Sequence, residues 1–197
     1  MKEIKNINIL IFMSLGIVVN FVGGYIALLA KLPIYLDSIG TLLSAVMFGP
    51  FCGAVVGGMT SIINGATFDP VSFYFAPVQI IAGISTGFLF KSGKFEGLKS
   101  ILSILIVAIL VSMASSIIVS FVFDGVTSSG SSLIVAILRN AGVNLLTAVF
   151  SIQVLTDLLD KVVSFSLVFC VIKTIPSTIK LKLTKSIQMN EKIKINK

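Results

Sequence analysis

Several carboxylate and amide side chains lie inside or beside stretches of sequence that are otherwise apolar. Asp37, Asn64, Gln79 and Asp157 are the clearest cases. A polar side chain in hydrocarbon costs a few kcal/mol unless it faces the interior of a helix bundle or a wet cavity. Because carboxylates accept hydrogen bonds and amides both donate and accept them, we expect these residues to hold a small, partly polar organic molecule.

A second polar group lies in the last third of the chain. Asn140 and Asn144 recur at helical spacing, which predicts a helix with one wet face. Aromatic residues near position 74 can supply an apolar wall for a ligand. The residues predicted to contact a ligand are Asp37, Asn64, Gln79, Tyr74, Arg139, Asn140, Asn144, Asp157 and Lys161.

Some of these residues also fit purely structural roles. Asp37 precedes a predicted helix start, where a carboxylate can cap the helix and interact favourably with its dipole. Asp157 and Lys161 are four residues apart, so they can form an ion pair on one helix face as readily as a clamp on a ligand. Both interpretations stay open at this point.

Other kinds of chemistry lack the residues they need. The sequence contains no histidine, no C-x-x-C and no H-E-x-x-H, and both cysteines lie in apolar runs. We therefore expect no metal site and no cofactor. No nucleophile with an adjacent base is evident either, so we expect a binding protein and not an enzyme.

The composition is that of an integral membrane protein. Apolar residues make up 56% of the chain, charged residues only 12%, and the mean hydropathy is +1.08. The net charge of +7 comes from lysines concentrated in the termini and in one loop, as in membrane proteins that mark their cytoplasmic side. Nucleic acid is therefore not an expected partner, whereas the lipid bilayer is.

The apolar runs predict an all-α bundle of six transmembrane helices. Five of these fall at about residues 8–30, 34–48, 51–66, 71–90 and 100–123. The basic tail can lie inside, with the amino terminus, only if the remainder crosses once. We therefore expect an outer re-entrant or interfacial helix at residues 133–151 and the last crossing at about residues 155–175.

This topology gives one membrane domain, residues 1–176, and a basic cytoplasmic tail, residues 177–197. Both termini are expected in the cytoplasm of a multi-pass cell-membrane protein. The polar residues of several helices then fall at one outward-facing level, while the cytoplasmic ends offer mostly glycine, lysine and apolar side chains. The pattern predicts a binding pocket that opens to the outside.

Small residues form a stripe along the predicted third helix. Gly49, Gly53, Gly57 and Ser61 follow each other at four-residue spacing, which lets another helix approach the backbone closely. That helix can belong to the same chain or to a docked partner subunit.

Two parts of the sequence resemble a known family. LPIYLDSIGT (residues 32–41) with FGPFCGAVVG (residues 48–57) is similar to the second and third helices of the substrate-binding S components of energy-coupling factor (ECF) transporters. LTDLLDKVVS (residues 155–164) is similar to their last helix. The resemblance extends over roughly residues 8–176.

The resemblance implies a six-helix protein that captures a vitamin or related micronutrient on the outer face. It also implies docking on a membrane scaffold, the T component, which two cytoplasmic ATPases drive. Family members dock through small residues on their first three helices, so the resemblance assigns docking to the stripe Gly49, Gly53, Gly57 and Ser61. The alanine-x-x-x-alanine pattern that is usual in the first helix of the family is not matched cleanly here: the chain has Gly23 and Ala27 near the outer end and Ser14 or Gly16 near the inner end.

Other functions are compatible with a membrane-bound binder. The sequence has no Walker motif, so uphill transport requires coupling to an ATPase partner or an ion gradient. A stand-alone secondary transporter is one alternative, although no inverted repeat is evident. A sensor module that signals through a separate kinase is another.

Overall fold

The computed structural model describes residues 2–95 and 97–174, with side chains from Ile7 onward. Within these ranges every regular element is a helix and there are no strands, which confirms the all-α prediction. The predicted basic tail, residues 177–197, lies outside the described residues. The helices are α1 (Lys2–Leu29), α2 (Ile39–Phe48), α3 (Pro50–Thr67), α4 (Ala76–Lys91), α5 (Lys99–Phe121), α6 (Ser131–Asn140) and α7 (Leu145–Thr174), and a 3-10 helix (Pro70–Phe75) leads into α4.

Three segments of the described chain are long and apolar enough to cross a membrane. They are Ile7–Leu29, Pro70–Lys91 and Lys99–Phe121. With 10 residues, α2 rises only about 15 Å, half the hydrocarbon thickness. The 30 residues of α7 are long enough, but they include three ionisable side chains near the middle. Six crossings therefore remain a prediction, whereas the apolar helices support a location in the membrane.

The second helix begins later than its apolar run predicts. The run starts at Ile34, but α2 starts at Ile39, and the preceding segment, residues 30–38, is irregular. Leu36 has a left-handed φ of 54° there, which a helix does not allow. The backbone amides of this segment bind a side chain of α7 instead of continuing a helix.

The helix predicted at residues 133–151 is divided in two. Gly142 adopts a φ of 88°, a left-handed conformation that follows the end of α6 at little cost. Two residues later, the Asn144 carboxamide oxygen accepts a hydrogen bond from the Leu146 amide at 3.0 Å. This contact is typical of a helix start, so residues 145–151 join the last helix.

A buried polar cluster connects the first three helices. Asn20 has no exposed surface. Its Nδ2 donates to Thr41 Oγ1 at 2.9 Å and to Thr60 Oγ1 at 3.0 Å, and its Oδ1 accepts from the Gly40 amide at 2.6 Å. One side chain from α1 thereby binds α2 and α3 in a fixed register.

The apolar core surrounds α2, which packs against α1, α3, α4 and α7. Leu42 of α2 and Val107 of α5 are completely buried, as are Phe165 and Val168 of α7. On the outward faces, by contrast, large apolar side chains such as Ile109 remain half exposed. This inside–outside pattern is typical of a bundle that has lipid as its outer solvent.

The glycine stripe of α3 is covered by α4 and α2 of the same chain. A Cβ atom on Gly53 would lie 2.6 Å from Ala45 Cβ and 3.1 Å from Gly83 Cα, and one on Gly57 would lie 2.6 Å from the Gln79 carbonyl oxygen. Ser61 is buried as well. The stripe therefore does not offer these three residues to a partner, because the close approach of α4 already occupies them.

We expect Gly57→Ala to lower the free energy of unfolding by about 1–3 kcal/mol, because its methyl group would meet backbone that cannot move aside. Gly58→Ala is the matched control. Its Cβ would meet only the flexible Ile80 side chain, at 3.3 Å. Thermal unfolding in detergent should show a clear loss for the first variant and little change for the second. Equal melting temperatures would contradict the packing described here.

Candidate functional site

A cavity opens at the end of the bundle opposite the loop between α4 and α5. Its volume is about 810 Å³ when the space at its open mouth is included. The polar residues that line it are Tyr35, Asp37, Asn64, Asp69, Ser72, Gln79, Ser115, Thr127, Ser128, Ser129, Asp157 and Lys161.

The irregular segment at residues 30–38 forms one wall, and the carboxylate of Asp160 fixes it. Asp160 is completely buried, and its Oδ1 accepts hydrogen bonds from the backbone amides of Tyr35 at 3.1 Å and Leu36 at 2.8 Å. Its Oδ2 lies 2.6 Å from Lys161 Nζ. Ser38 completes the cluster, because its hydroxyl lies 3.3 Å from Asp160 Oδ2 and 3.0 Å from Lys161 Nζ.

Gln79 of α4 holds the same wall from the other side. Its Nε2 donates to the backbone oxygen of Asp37 at 3.3 Å, and its Oε1 accepts from Thr41 at 3.3 Å. Both functional groups of this amide thus have partners within the protein. Gln79 therefore positions Asp37, whose carboxylate lines the cavity.

Asp157 is buried on α7, one helical turn before Lys161. It accepts a hydrogen bond from the Ser115 hydroxyl of α5 at 2.9 Å. The Asp157–Lys161 ion pair that the sequence allowed is not the direct contact, because the ammonium of Lys161 bonds to the adjacent Asp160. Consecutive helical residues do not usually face each other, so helical spacing alone did not predict this pairing.

Asn64 combines a buried, unpartnered polar atom with a position at the cavity, whereas Gln153, whose Nε2 also has no partner among the described residues, does not line it. Asn64 is 2% exposed and lines the cavity. Among the residues that the structure describes, no group hydrogen-bonds to its Oδ1. A buried polar atom without a partner costs about 1–3 kcal/mol, so this oxygen favours a ligand or a solvent molecule in the cavity.

The remaining walls are apolar. Val78 and Ala82 of α4, Val111 of α5 and Phe75 from the end of the 3-10 helix face the same space. A molecule that fits this cavity needs both an apolar part and a small number of polar groups.

Five of the nine predicted ligand-contacting residues lie at this cavity: Asp37, Asn64, Gln79, Asp157 and Lys161. Sequence reasoning assigned no ligand role to Ser115 or to the serines of the loop at residues 127–129. Because α5 contains many serines, the sequence did not indicate that Ser115 is the one at the cavity. The loop at residues 127–129 follows α5 closely in the sequence, and this position could have identified the loop as part of the cavity wall.

The structure places the other four predicted residues elsewhere. Tyr74 is 54% exposed and its ring packs edge-on against Phe123 at 5.2 Å, while the neighbouring Phe75 faces the cavity. Arg139 lies 3.6 Å from the Asp124 carboxylate. Arg139 and Asn140 line a second pocket beside Asp124. Asn144 lies at the start of α7. These last three residues leave the cavity because the chain turns outward between α6 and α7.

Comparison with known proteins gives one result. A family model described as "ECF transporter, substrate-specific component" matches residues 8–172. No curated protein and no solved structure matches the chain significantly. The matched region contains every residue that lines the cavity.

We expect Lys161→Met to lower the free energy of unfolding by about 3–5 kcal/mol, because it leaves the Asp160 carboxylate buried without its counter-charge. The double variant Asp160→Asn, Lys161→Met should recover part of this loss. Lys173→Met is the matched control, since that lysine is exposed on the same helix. Unfolding curves that are the same for the single and the control variant would refute the role of the buried pair.

Proposed function

We propose, from the premise that this chain belongs to the family of ECF transporter substrate-specific components, that it captures a vitamin-like micronutrient for ATP-driven uptake. The family match extends over residues 8–172, most of the chain. Substrate-specific components are membrane subunits of transporters and not enzymes. The observation that carries the capture role is the cavity itself, where Asn64 presents an unpartnered acceptor beside the Asp37 and Asp157 carboxylates.

In the proposed orientation, the cavity opens to the outside of the cell. The loop between α4 and α5 carries Lys91, Lys94 and Lys99, and positively charged loops favour the cytoplasmic side. The cavity lies at the opposite end of the bundle. Since α1 begins and α7 ends on the side of the lysine loop, we propose that both termini lie in the cytoplasm.

The proposed partners are a T component and two ATPase subunits. The sequence contains no Walker motif, so the energy for uphill transport has to come from another protein. Of the four residues assigned to docking, Gly49 is the one that stays open, because a Cβ atom there would meet nothing within 4 Å. It lies at the corner between α2 and α3, on the cytoplasmic side in this orientation. We therefore propose that docking begins at this corner.

We expect Asn64→Leu to abolish retention of the captured molecule without loss of stability. The substitution removes an acceptor that has no partner in the protein and fills part of the cavity. Native mass spectrometry of gently purified protein measures the retained molecule, and thermal unfolding measures stability.

Thr86→Val is the matched control for this variant. Thr86 is also completely buried, and its hydroxyl likewise has no partner among the described residues, but it does not line the cavity. Retention should therefore be normal in Thr86→Val. Unchanged retention in Asn64→Leu would remove Asn64 from the proposed site.

Assembly is tested by co-expressing the tagged chain with the T component and the ATPase pair of its host. We expect a stable four-subunit complex that hydrolyses ATP and accumulates the retained molecule in vesicles, whereas the chain alone binds it without accumulation. A lysine substitution in the Walker motifs of the ATPases should stop accumulation and leave binding intact. Accumulation by the chain alone would identify a secondary transporter, and a stable complex with a kinase would identify a sensor module.

A further inference from the structure

The ionisable side chains around the cavity are mostly acidic. Asp37, Asp69 and Asp157 line it, against a single ammonium group, that of Lys161. Lys161 is already in contact with a fourth carboxylate, that of Asp160, at 2.6 Å. Among the described residues the cavity thus has more carboxylates than cations. This contrasts with the chain as a whole, whose net charge is +7.

The position of Lys161 also limits what its charge can do for a ligand. Its Nζ bonds to Asp160 and lies 3.0 Å from the Ser38 hydroxyl, and Asp37 and Asp157 line the same cavity. One ammonium therefore stands against two buried carboxylates, Asp157 and Asp160, and the half-buried Asp37. An anionic ligand would have to draw it away from them, so the cavity does not favour anions.

The hydrogen-bonding groups give a second and independent indication. The unpartnered Oδ1 of Asn64 is an acceptor, and its residue is 2% exposed. Gln79 uses its donor group on the Asp37 backbone, and Ser115 donates to Asp157. The Asn64 oxygen and the carboxylates of Asp37 and Asp157 are thus acceptors at the cavity that a ligand can use. A matching ligand has to bring N–H or O–H donors.

We propose, as an extension that rests on the proposed function, that the captured substrate is a small organic cation with N–H donors. Its charged end lies between Asp37, Asp157 and Asn64, and its apolar part lies against Phe75 and Val78. Because Asp157 is buried and Asp37 is half-buried, their attraction for a cation is stronger than in water. Recognition therefore depends on charge as well as on shape.

Three flat probes of similar size test this proposal: benzamidine, a cation with N–H donors; benzamide, its neutral analogue; and benzoate, an anion. Protein freed of retained molecules is titrated with each one in detergent, and binding is followed by calorimetry and by the shift in melting temperature. We expect benzamidine to bind at least about tenfold more tightly than benzamide, and benzoate not to bind. Equal or tighter binding of benzamide or benzoate overturns the proposal, as does a failure of benzamidine to bind.

Charge variants locate the effect. Asp37→Asn and Asp157→Asn should each weaken benzamidine binding roughly tenfold and weaken benzamide binding much less, because benzamide carries no charge. Either variant is sufficient if the other does not fold. Asp124→Asn is the matched control, because its side chain is 78% exposed and outside the cavity. Loss of benzamidine binding in the control to the same extent would assign the effect to general surface charge and refute the proposal.

The probe experiment requires neither the T component nor the ATPases, so its result is separate from that of the assembly test. A chain that prefers benzamidine but forms no complex with these subunits would overturn the proposed transport role and leave the cation preference standing. A chain that forms the complex but prefers benzoate would overturn the cation preference alone.

Discussion

The buried carboxylate of Asp160 is the contact on which the binding end of the molecule depends. It holds two backbone amides of the segment before α2, the hydroxyl of Ser38 and the ammonium of Lys161. A carboxylate without these donors would be very costly at a completely buried position. Since the segment belongs to the cavity wall and leads directly into α2, one side chain of α7 connects the site to the central helix of the core.

Two kinds of buried polar group occur in the bundle, and they have different consequences. Asn20 and Gln79 use both their donor and acceptor groups within the protein, so they fix the register of neighbouring helices. The Asn64 oxygen has no such partner among the described residues. Polar groups of the first kind stabilise the framework, whereas a group of the second kind gains its hydrogen bond when a ligand enters. Among the amides that line the cavity, this difference separates the structural Gln79 from the candidate binding residue Asn64.

The sequence alone predicted the class of fold and much of the cavity, because apolar periodicity and buried polar residues are local signals. Asp37, Asn64 and Asp157 were recognised in this way. The pairing of Asp160 with the amides of Tyr35 and Leu36 was not, since these residues are more than a hundred positions apart in the chain. The chain also turns at Gly142, and Arg139 and Asn140 line a different pocket. The helical spacing of the asparagines therefore did not predict where they lie.

The glycine stripe shows how packing determines the shape of the site. With Gly53 and Gly57 on α3 and Gly83 on α4, the backbones of the two helices approach each other closely. Asn64 lies about two turns beyond Gly57 on α3, and Gln79 lies on α4 opposite Gly57. A closely packed interior resists changes in the spacing between its helices. The contact between the two backbones therefore sets how far apart Asn64 and Gln79 lie at the cavity. Gly53 and Gly57, which the sequence analysis assigned to a docking surface, therefore determine the width of the binding site through their packing inside the bundle.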